Sequence, residues 1–433
     1  MHPLTAPTGI GGGPEQVRRI AALGGPGLLV GPDPQLRQDA DAYRAAGGYR
    51  GPLPTAELLR RLTAAGLRGR GGAGFPAAAK IVGVNNRPPG PRTVLANGAE
   101  GEPASVKDRF LTRMRPHLVL DGIAQAATAV RADTAYVAVS DRTAARSLEQ
   151  ALRERPSARG PRVVVRVVPE AYVTGEESAL VRHLSGGPAL PTAKPPRVFE
   201  AGVGGGPTLV LNVETLARLA LLASGATRSA DSFLATVSGL GAPPALYELP
   251  YGTSLADLME HHAGTAGQAT HVLIGGYFGG LLPAGPDVVL EPVRLRAQGA
   301  QLGCGAVVAL GPADCPVHAA GDILAYLATE SARQCGACLR GTAAMADAVA
   351  RLCRGEAQPV QVDQLRRWSE TLRGRGACGL LDAATANAAA LLRSRPDAVA
   401  AHLERRCPHC AAAGPFRRRT RFELELGITP EPG

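Results

Sequence analysis

The chain has 433 residues, 45% hydrophobic and 19% charged, which suits a folded protein of two to four domains and excludes a disordered one. No run of about 18 apolar residues occurs, and no basic segment leads into an apolar core, so neither membrane insertion nor a secretory leader is expected. The formal net charge of +10 comes from scattered arginines and aromatics are only 4%, whereas a nucleic-acid interface wants a basic stripe interleaved with stacking rings. Eight cysteines without a leader favour reduced thiols or metal ligands over disulfides, hence a cytoplasmic protein. A basic surface also suits an acidic electron-transfer partner.

Residues 1–50 are rich in Gly, Pro and Ala, and short helical stretches at most are expected there. "TAELLRRLTAAGL" (55–67) has helical spacing and runs into the glycine-rich "RGRGGAGFP" (68–76). Four apolar runs read as buried strands: "PRTVLANG" (91–98), "TAYVAVSD" (134–141), "RVVVRVVP" (162–169) and "PTLVLNVET" (207–215). Helical patterns lie between them, so residues 51–228 predict an α/β domain with a mostly parallel sheet. Residues 229–312 read as a smaller α+β module that begins strand, turn, strand, helix. Residues 313–405 carry four short helical patterns, which predict a bundle, and the tail 406–433 reads as irregular.

Several loops carry chemistry. "GLRGRGGAGFPAAAK" (66–80) has five glycines, which let backbone N–H groups wrap a phosphate, with Arg70 and Lys80 as countercharges; a flexible loop is the plain alternative. "LANGAEGEPASVKDRF" (95–110), "YVTGEESALVRHLSGG" (172–187) and "LVLNVETLA" (209–217) each follow a strand, where open α/β sheets bind ligands. The paired acids Glu176 and Glu177 at a helix start fit either a ligand or the helix dipole. Only three of the 47 basic residues are lysines, namely Lys80, Lys107 and Lys194, which marks each as a candidate for a position wanting a compact point charge, with chance placement the plain alternative. In "ESARQCGACLRG" (330–341), Cys335 and Cys338 form C-x-x-C at a predicted helix start. A cysteine at Ala332 would complete C-x-x-C-x-x-C, a common way to hold three corners of an iron–sulfur cluster.

These motifs, in unbroken order over residues 55–405, resemble the family of flavoprotein (NADH-binding) subunits of respiratory complex I and of related NAD-reducing hydrogenases and formate dehydrogenases. The resemblance implies an FMN-binding α/β domain, a β-grasp (SLBB-like) module and a C-terminal four-helix bundle holding an iron–sulfur cluster. It implies that FMN is surrounded by Gly69, Arg70, Gly71, Gly72, Gly74, Lys80, Asn97, Glu100, Tyr172, Gly175, Glu176, Asn212 and Thr215. Phe75, Glu177 and Lys194 are expected to face the nucleotide donor, NADH or NADPH. No side chain is expected to act as catalytic acid, base or nucleophile, because a flavin stands between a two-electron hydride donor and one-electron clusters. The electron acceptor implied is a ferredoxin-like or other iron–sulfur protein.

The sequence departs from the family pattern at four places. Ala99 replaces an Asp beside the flavin loop, and Gly83 and Arg197 stand where aromatic rings sandwich the adenine. Ala332 replaces the first cluster cysteine, leaving Cys335, Cys338 and Cys378 in register. A three-cysteine site implies 3Fe–4S, or 4Fe–4S completed by another ligand, for which the tail pair Cys407 and Cys410 is a candidate; Cys304 and Cys353 read as core thiols. "RCPHC" (406–410) lacks the βαβ setting of a thiol exchanger, which leaves a tail metal site, cluster completion or an exposed pair. Two other readings follow from the departures: a ferredoxin-linked flavoprotein that does not use NADH, and a non-catalytic scaffold.

Overall fold

The apolar runs between helical patterns pair into a four-stranded parallel sheet, ordered Arg162–Val167, Thr134–Val139, Thr93–Gly98, Thr208–Asn212. The computed structural model describes residues 14–155, 160–264, 268–405, 407–416 and 422–430; residues 1–13 of the N-terminal segment and parts of the tail lie outside them. Alternate residues of Thr93–Gly98 serve two layers, which is why its middle, Val94–Ala96, is apolar and buried. Val94 and Ala96 join the core formed with helices Pro116–Val130 and Val213–Ser224, while Leu95 joins Leu180, Val181 and Val210. The two helices approach so closely that a Cβ at Gly122 would lie 2.1 Å from the Leu216 carbonyl oxygen, so only glycine fits there.

A second, mixed sheet has the order Gly280–Pro283, His271–Ile274, Ala306–Leu310, Ser232–Gly239, Ala242–Pro250, Arg19–Ala22. Its core includes Phe233, Val237, Tyr247 and Leu258, the last from helix Leu255–Ala263. The edge strand Arg19–Ala22 corrects the expectation of short helices at most before residue 50, although one short helix, Ala40–Ala45, does form. That strand is made by parallel pairing to Ala242–Pro250, a partner too distant in sequence to leave a local signal.

Helices Pro316–Thr329, Gly336–Arg354, Pro359–Thr371 and Leu380–Ser394 follow, packed through Leu324, Met345, Leu352, Leu365, Leu381 and Leu391. Two shorter helices, Pro396–Glu404 and Pro408–Ala413, come after them. The tail is not irregular as expected: beyond its helix, the strand Leu424–Leu426 pairs in parallel with Glu15–Val17. The Leu424 amide donates to the Pro103 carbonyl at 2.9 Å, and Arg109 Nη1 donates to the Leu424 carbonyl at 3.2 Å. The tail thus returns to the α/β domain. No helix among the described residues is long and apolar enough to cross a membrane.

Buried Glu248 links the parts. One carboxylate oxygen accepts the Leu29 and Val30 amides at 2.7 and 3.2 Å; the other accepts Arg218 Nη2 and Ser232 Oγ, both at 3.0 Å. Glu248→Ala would leave the buried Arg218 charge with only the Ser232 hydroxyl and no carboxylate partner, and two amides without an acceptor. We expect a loss of about 3–5 kcal/mol in stability, read as a lowered urea midpoint by circular dichroism.

Candidate cofactor site

The glycine loop, residues 66–76, joins helices Thr55–Ala64 and Ala77–Asn85 across the carboxyl edge of the parallel sheet. Its bonds include Gly69 N–H to the Phe75 carbonyl at 2.8 Å, Arg68 Nη1 to the Gly74 carbonyl at 3.1 Å, and Arg70 N–H to Thr215 Oγ1 at 2.9 Å. The last of these pins the loop over the start of helix Val213–Ser224, which Asn212 caps by accepting the Glu214 amide. Gly71 lies against Asn212, with its Cβ direction 3.4 Å from Asn212 Cβ. A Cβ at Gly72 or Gly74 would meet open space, and both have positive φ. Among the described residues, the amides of Gly71, Gly72 and Gly74 donate to no acceptor.

The other expected residues converge on the same edge. Asn97 Nδ2 donates to the Gly175 carbonyl at 2.8 Å, and Asn212 Nδ2 donates to the Asn97 carbonyl at 3.3 Å. Gly175 is packed so closely that a Cβ would sit 2.9 Å from the Ala99 carbonyl. Glu176 caps helix Glu177–Leu184 by accepting the Ser178 and Ala179 amides, and Lys194 Nζ binds its other oxygen at 2.8 Å. Lys80 Nζ reaches Glu177 at 3.4 Å and the Val210 carbonyl at 3.1 Å. Phe75 is exposed, with 52% of its surface open. The capping role and the charged cluster therefore coexist in Glu176 and Glu177.

Three expected residues have their functional groups engaged elsewhere. The Arg70 guanidinium is buried, donates to the Ala230 and Ser232 carbonyls, and lies over the Tyr251 ring at 5.0 Å. Burial lowers its pKa to about 10 against the pull of Glu214. Glu100 accepts Ser105 Oγ and the amides of Asp108 and Arg109, so it holds the start of helix Lys107–Met114. The Tyr172 ring stacks on Phe278 at 5.7 Å and meets Tyr326 edge-on at 5.8 Å. Its buried hydroxyl has no hydrogen-bond partner among the described residues.

Beneath the edge lies a buried network built on the rare lysine and on polar residues of two strand-end loops. Lys107 Nζ contacts Asp108 at 2.6 Å, Asn212 Oδ1 at 3.2 Å and Glu214 at 3.2 Å, and Asn212 Nδ2 donates to Asp108 at 2.7 Å. Burial pushes the Asp108 carboxyl up to about 7, with Lys107 pulling the other way. Phe199 was unforeseen. Its ring is 3.9 Å from where a Gly83 Cβ would be, and the Arg87 guanidinium lies over it at 5.0 Å. The "VF" after "KPPR" carried no periodic or motif signal that would have found it.

The cysteines separate into two groups. Cys335 is the N-cap of helix Gly336–Arg354, Cys338 lies in its first turn, and Cys378 precedes helix Leu380–Ser394. Cys335 Sγ accepts the Ala377 amide at 3.4 Å, and Ser331 Oγ lies 3.4 Å from Cys338 Sγ. Ala332, Cys335 and Cys378 are all partly buried against the same apolar core. This region touches the flavin-side loops: Gln334 Nε2 donates to the Pro191 carbonyl at 2.9 Å, and the Tyr172 amide donates to Glu330 at 2.8 Å. Burial raises the Cys378 pKa, and nearby Glu176 adds to the rise. Cys407 and Cys410 group instead with Cys315 and His402.

The residues present fit both implied groups. Unpaired loop amides, open space at Gly72 and Gly74 and the Lys80 ammonium suit a phosphate. Three neighbouring thiols with donors on two of their sulfurs suit three corners of a cluster, and Ala332 offers nothing to the fourth.

Residues 62–221 match the family described as the Nuo51 FMN-binding domain. Residues 318–402 match the NADH-ubiquinone oxidoreductase-F iron–sulfur binding region. The chain is 34% identical over 399 residues to the F 2 subunit of the NADH-quinone oxidoreductase of Rhizobium meliloti, covering 84% of this chain and 95% of that one. It is 32% identical to the mitochondrial NADH dehydrogenase [ubiquinone] flavoprotein 1 of Dictyostelium discoideum, covering 78% of each. A crystal structure of an NAD+-reducing [NiFe]-hydrogenase in the H2-reduced state matches with a TM-score of 0.72 at 31% identity, over 81% of this chain and 64% of that one. The chain thus spans just under two thirds of that hydrogenase chain. It belongs to the family of the FMN- and iron–sulfur-binding flavoprotein components of NADH dehydrogenases.

Proposed function

We propose that the chain oxidises NADH by way of FMN held at the carboxyl edge of the parallel sheet, and passes single electrons on through an iron–sulfur centre. The observation that carries this reading is the adjacency of two built sites. The Tyr172 amide bonds to Glu330 and the Pro191 carbonyl to Gln334, and Cys378 lies near enough to Glu176 to feel its charge. FMN, when bound, supplies the change from hydride transfer to single-electron transfer. The chain's own residues hold the phosphate at the glycine loop and present Phe75, Glu177 and Lys194 toward the donor. They also screen the edge from water with the Tyr172, Phe278 and Tyr326 rings.

In this reading residues 51–228 form the FMN domain, 229–312 a β-grasp (SLBB-like) module, and 313–405 a four-helix cluster-binding bundle. The described residues of the 1–50 extension and of the 406–433 tail brace these parts. Anaerobic titration tests the proposal: NADH should bleach the flavin bands of the purified chain and reduce its iron–sulfur absorption. Bleaching by dithionite but not by NADH would overturn it.

A second reading has its own support. Positions 83 and 197 lack the family's rings, which favours NADPH, or a ferredoxin-like donor or acceptor in place of NADH. If a missing stacking partner is the cause, Arg197→Phe should lower the KM for NADH about tenfold, since stacking contributes about 1–3 kcal/mol per base. Steady-state kinetics with flavin content held equal check this. An unchanged KM for NADH together with a raised KM for NADPH would favour a phosphate held by Arg197.

A further inference from the structure

We propose that this chain carries a second metal centre, a closed Cys3His site for one zinc ion formed by Cys315, His402, Cys407 and Cys410. The four ligand atoms all lie within 4.8 Å of one another. Cys410 Sγ is 3.5 Å from Cys315 Sγ, and His402 Nε2 is 3.4 Å from Cys315 Sγ and 3.3 Å from Cys410 Sγ. Around a tetrahedral zinc, with Zn–S about 2.3 Å and Zn–N about 2.0–2.1 Å, the S···S edge is about 3.8 Å and the S···N edge about 3.5 Å. The three edges among Cys315, His402 and Cys410 match within a few tenths of an ångström, and Cys407 Sγ lies within 4.8 Å of all three. Among the described residues this is the one group compact enough for a single ion; the cluster cysteines Cys335, Cys338 and Cys378 do not form such a group.

The surroundings orient the ligands. His402 Nδ1 lies 2.6 Å from the Ala398 carbonyl. Only a protonated nitrogen can donate there, so Nε2 is left with the lone pair that a metal takes. Cys315 is the N-cap of the 14-residue helix Pro316–Thr329, and the His318 amide donates to its sulfur. Arg395, whose guanidinium is paired with Asp397 at 2.7 Å, lies near Cys315. Cys315, His402 and Cys410 are each 6% exposed or less. With four ligands and no open position, the site is structural, and thiolates with an imidazole select zinc over hard cations. Cys353 lies against Cys410 but outside the group of four.

The ligands come from the start of the first C-terminal helix, the end of Pro396–Glu404, and the tail helix. Zinc therefore fastens the tail just before its strand returns to Glu15–Val17 and Pro103. This role is independent of the flavin reading.

Elemental analysis of the full chain, purified under reducing conditions without a metal-chelating tag, tests the proposal. One zinc per chain is expected alongside any iron. His402→Ala and Cys410→Ser should each lower bound zinc about tenfold or more, whereas Cys353→Ala should keep it. The Cys335→Ser/Cys338→Ser double variant should also keep it, which separates this site from adventitious zinc on the cluster thiols. His402→Cys should retain the metal, and with Co2+ as probe its thiolate charge-transfer band should grow, so the assignment does not depend on a variant that fails to fold. A zinc-free chain that takes up no Co2+ would overturn the proposal. So would zinc lost with Cys335 and Cys338 but kept in His402→Ala, or a Cys315–Cys410 disulfide in the freshly isolated chain.

Discussion

Gly71→Val should fold and should not retain FMN. Gly71 is not among the glycines with positive φ, so a side chain there costs no backbone strain. Its Cβ would make ordinary contact with Asn212 at 3.4 Å. The two valine methyls then project from the loop whose amides at 71, 72 and 74 lack acceptors, and so fill the space a phosphate needs. Gly72→Val would be a poorer test, because φ of +113° at that position strains any side chain. We expect flavin released on denaturation, measured by fluorescence, to fall about tenfold or more, with the melting temperature of the apoprotein nearly unchanged. Stoichiometric FMN in Gly71→Val would show that the phosphate sits elsewhere. Lys80→Met should weaken flavin binding less, since it removes one countercharge and leaves the amides.

What could be read from the sequence was what local pattern encodes. The four apolar runs became the parallel sheet, but only three are buried strands as expected: Arg162–Val167 lies at the side of the sheet with no fully buried residue. The loops after the strands gathered on one edge because parallel strands share a direction. Cys335 falls at the helix start expected for its C-x-x-C. What escaped depends on partners far apart in the chain. Arg19–Ala22 and Leu424–Leu426 are strands only because of the strands they meet. Side-chain direction escaped as well: Arg70 looked like a phosphate ligand by position, yet its guanidinium turns to the Ala230 and Ser232 carbonyls. Spacing flagged Cys407 and Cys410, but nothing in the sequence joins them to Cys315, 95 residues before Cys410. His402 looked like any helical residue, and only its contact with Ala398 and two sulfurs marks it as a ligand.

Ala332→Cys should convert the cluster of this chain from a three-iron to a four-iron form. Ala332 stands three residues before Cys335, partly buried against the same core as Cys335 and Cys378. Alanine cannot bind iron, so the corner it faces lacks a thiolate. The sequence left open that Cys407 or Cys410 fills that corner, but both tail thiols are gathered with Cys315 and His402. Cys407→Ser should therefore leave the iron content unchanged while it lowers zinc. Without a fourth thiolate, the cluster should be air-sensitive and give a paramagnetic resonance signal in its oxidised state, as a 3Fe–4S centre does. In Ala332→Cys that signal should vanish and a new one appear only after reduction, with iron rising from about three to about four per chain. The reduction potential should shift with it, because potential follows cluster type, net charge and solvent access. A wild-type chain that already shows only the reduced-state signal would mean that another group completes the cluster. If the wild type takes up no iron on anaerobic reconstitution and Ala332→Cys does, the natural chain holds no cluster, and electrons must leave its flavin directly to a partner.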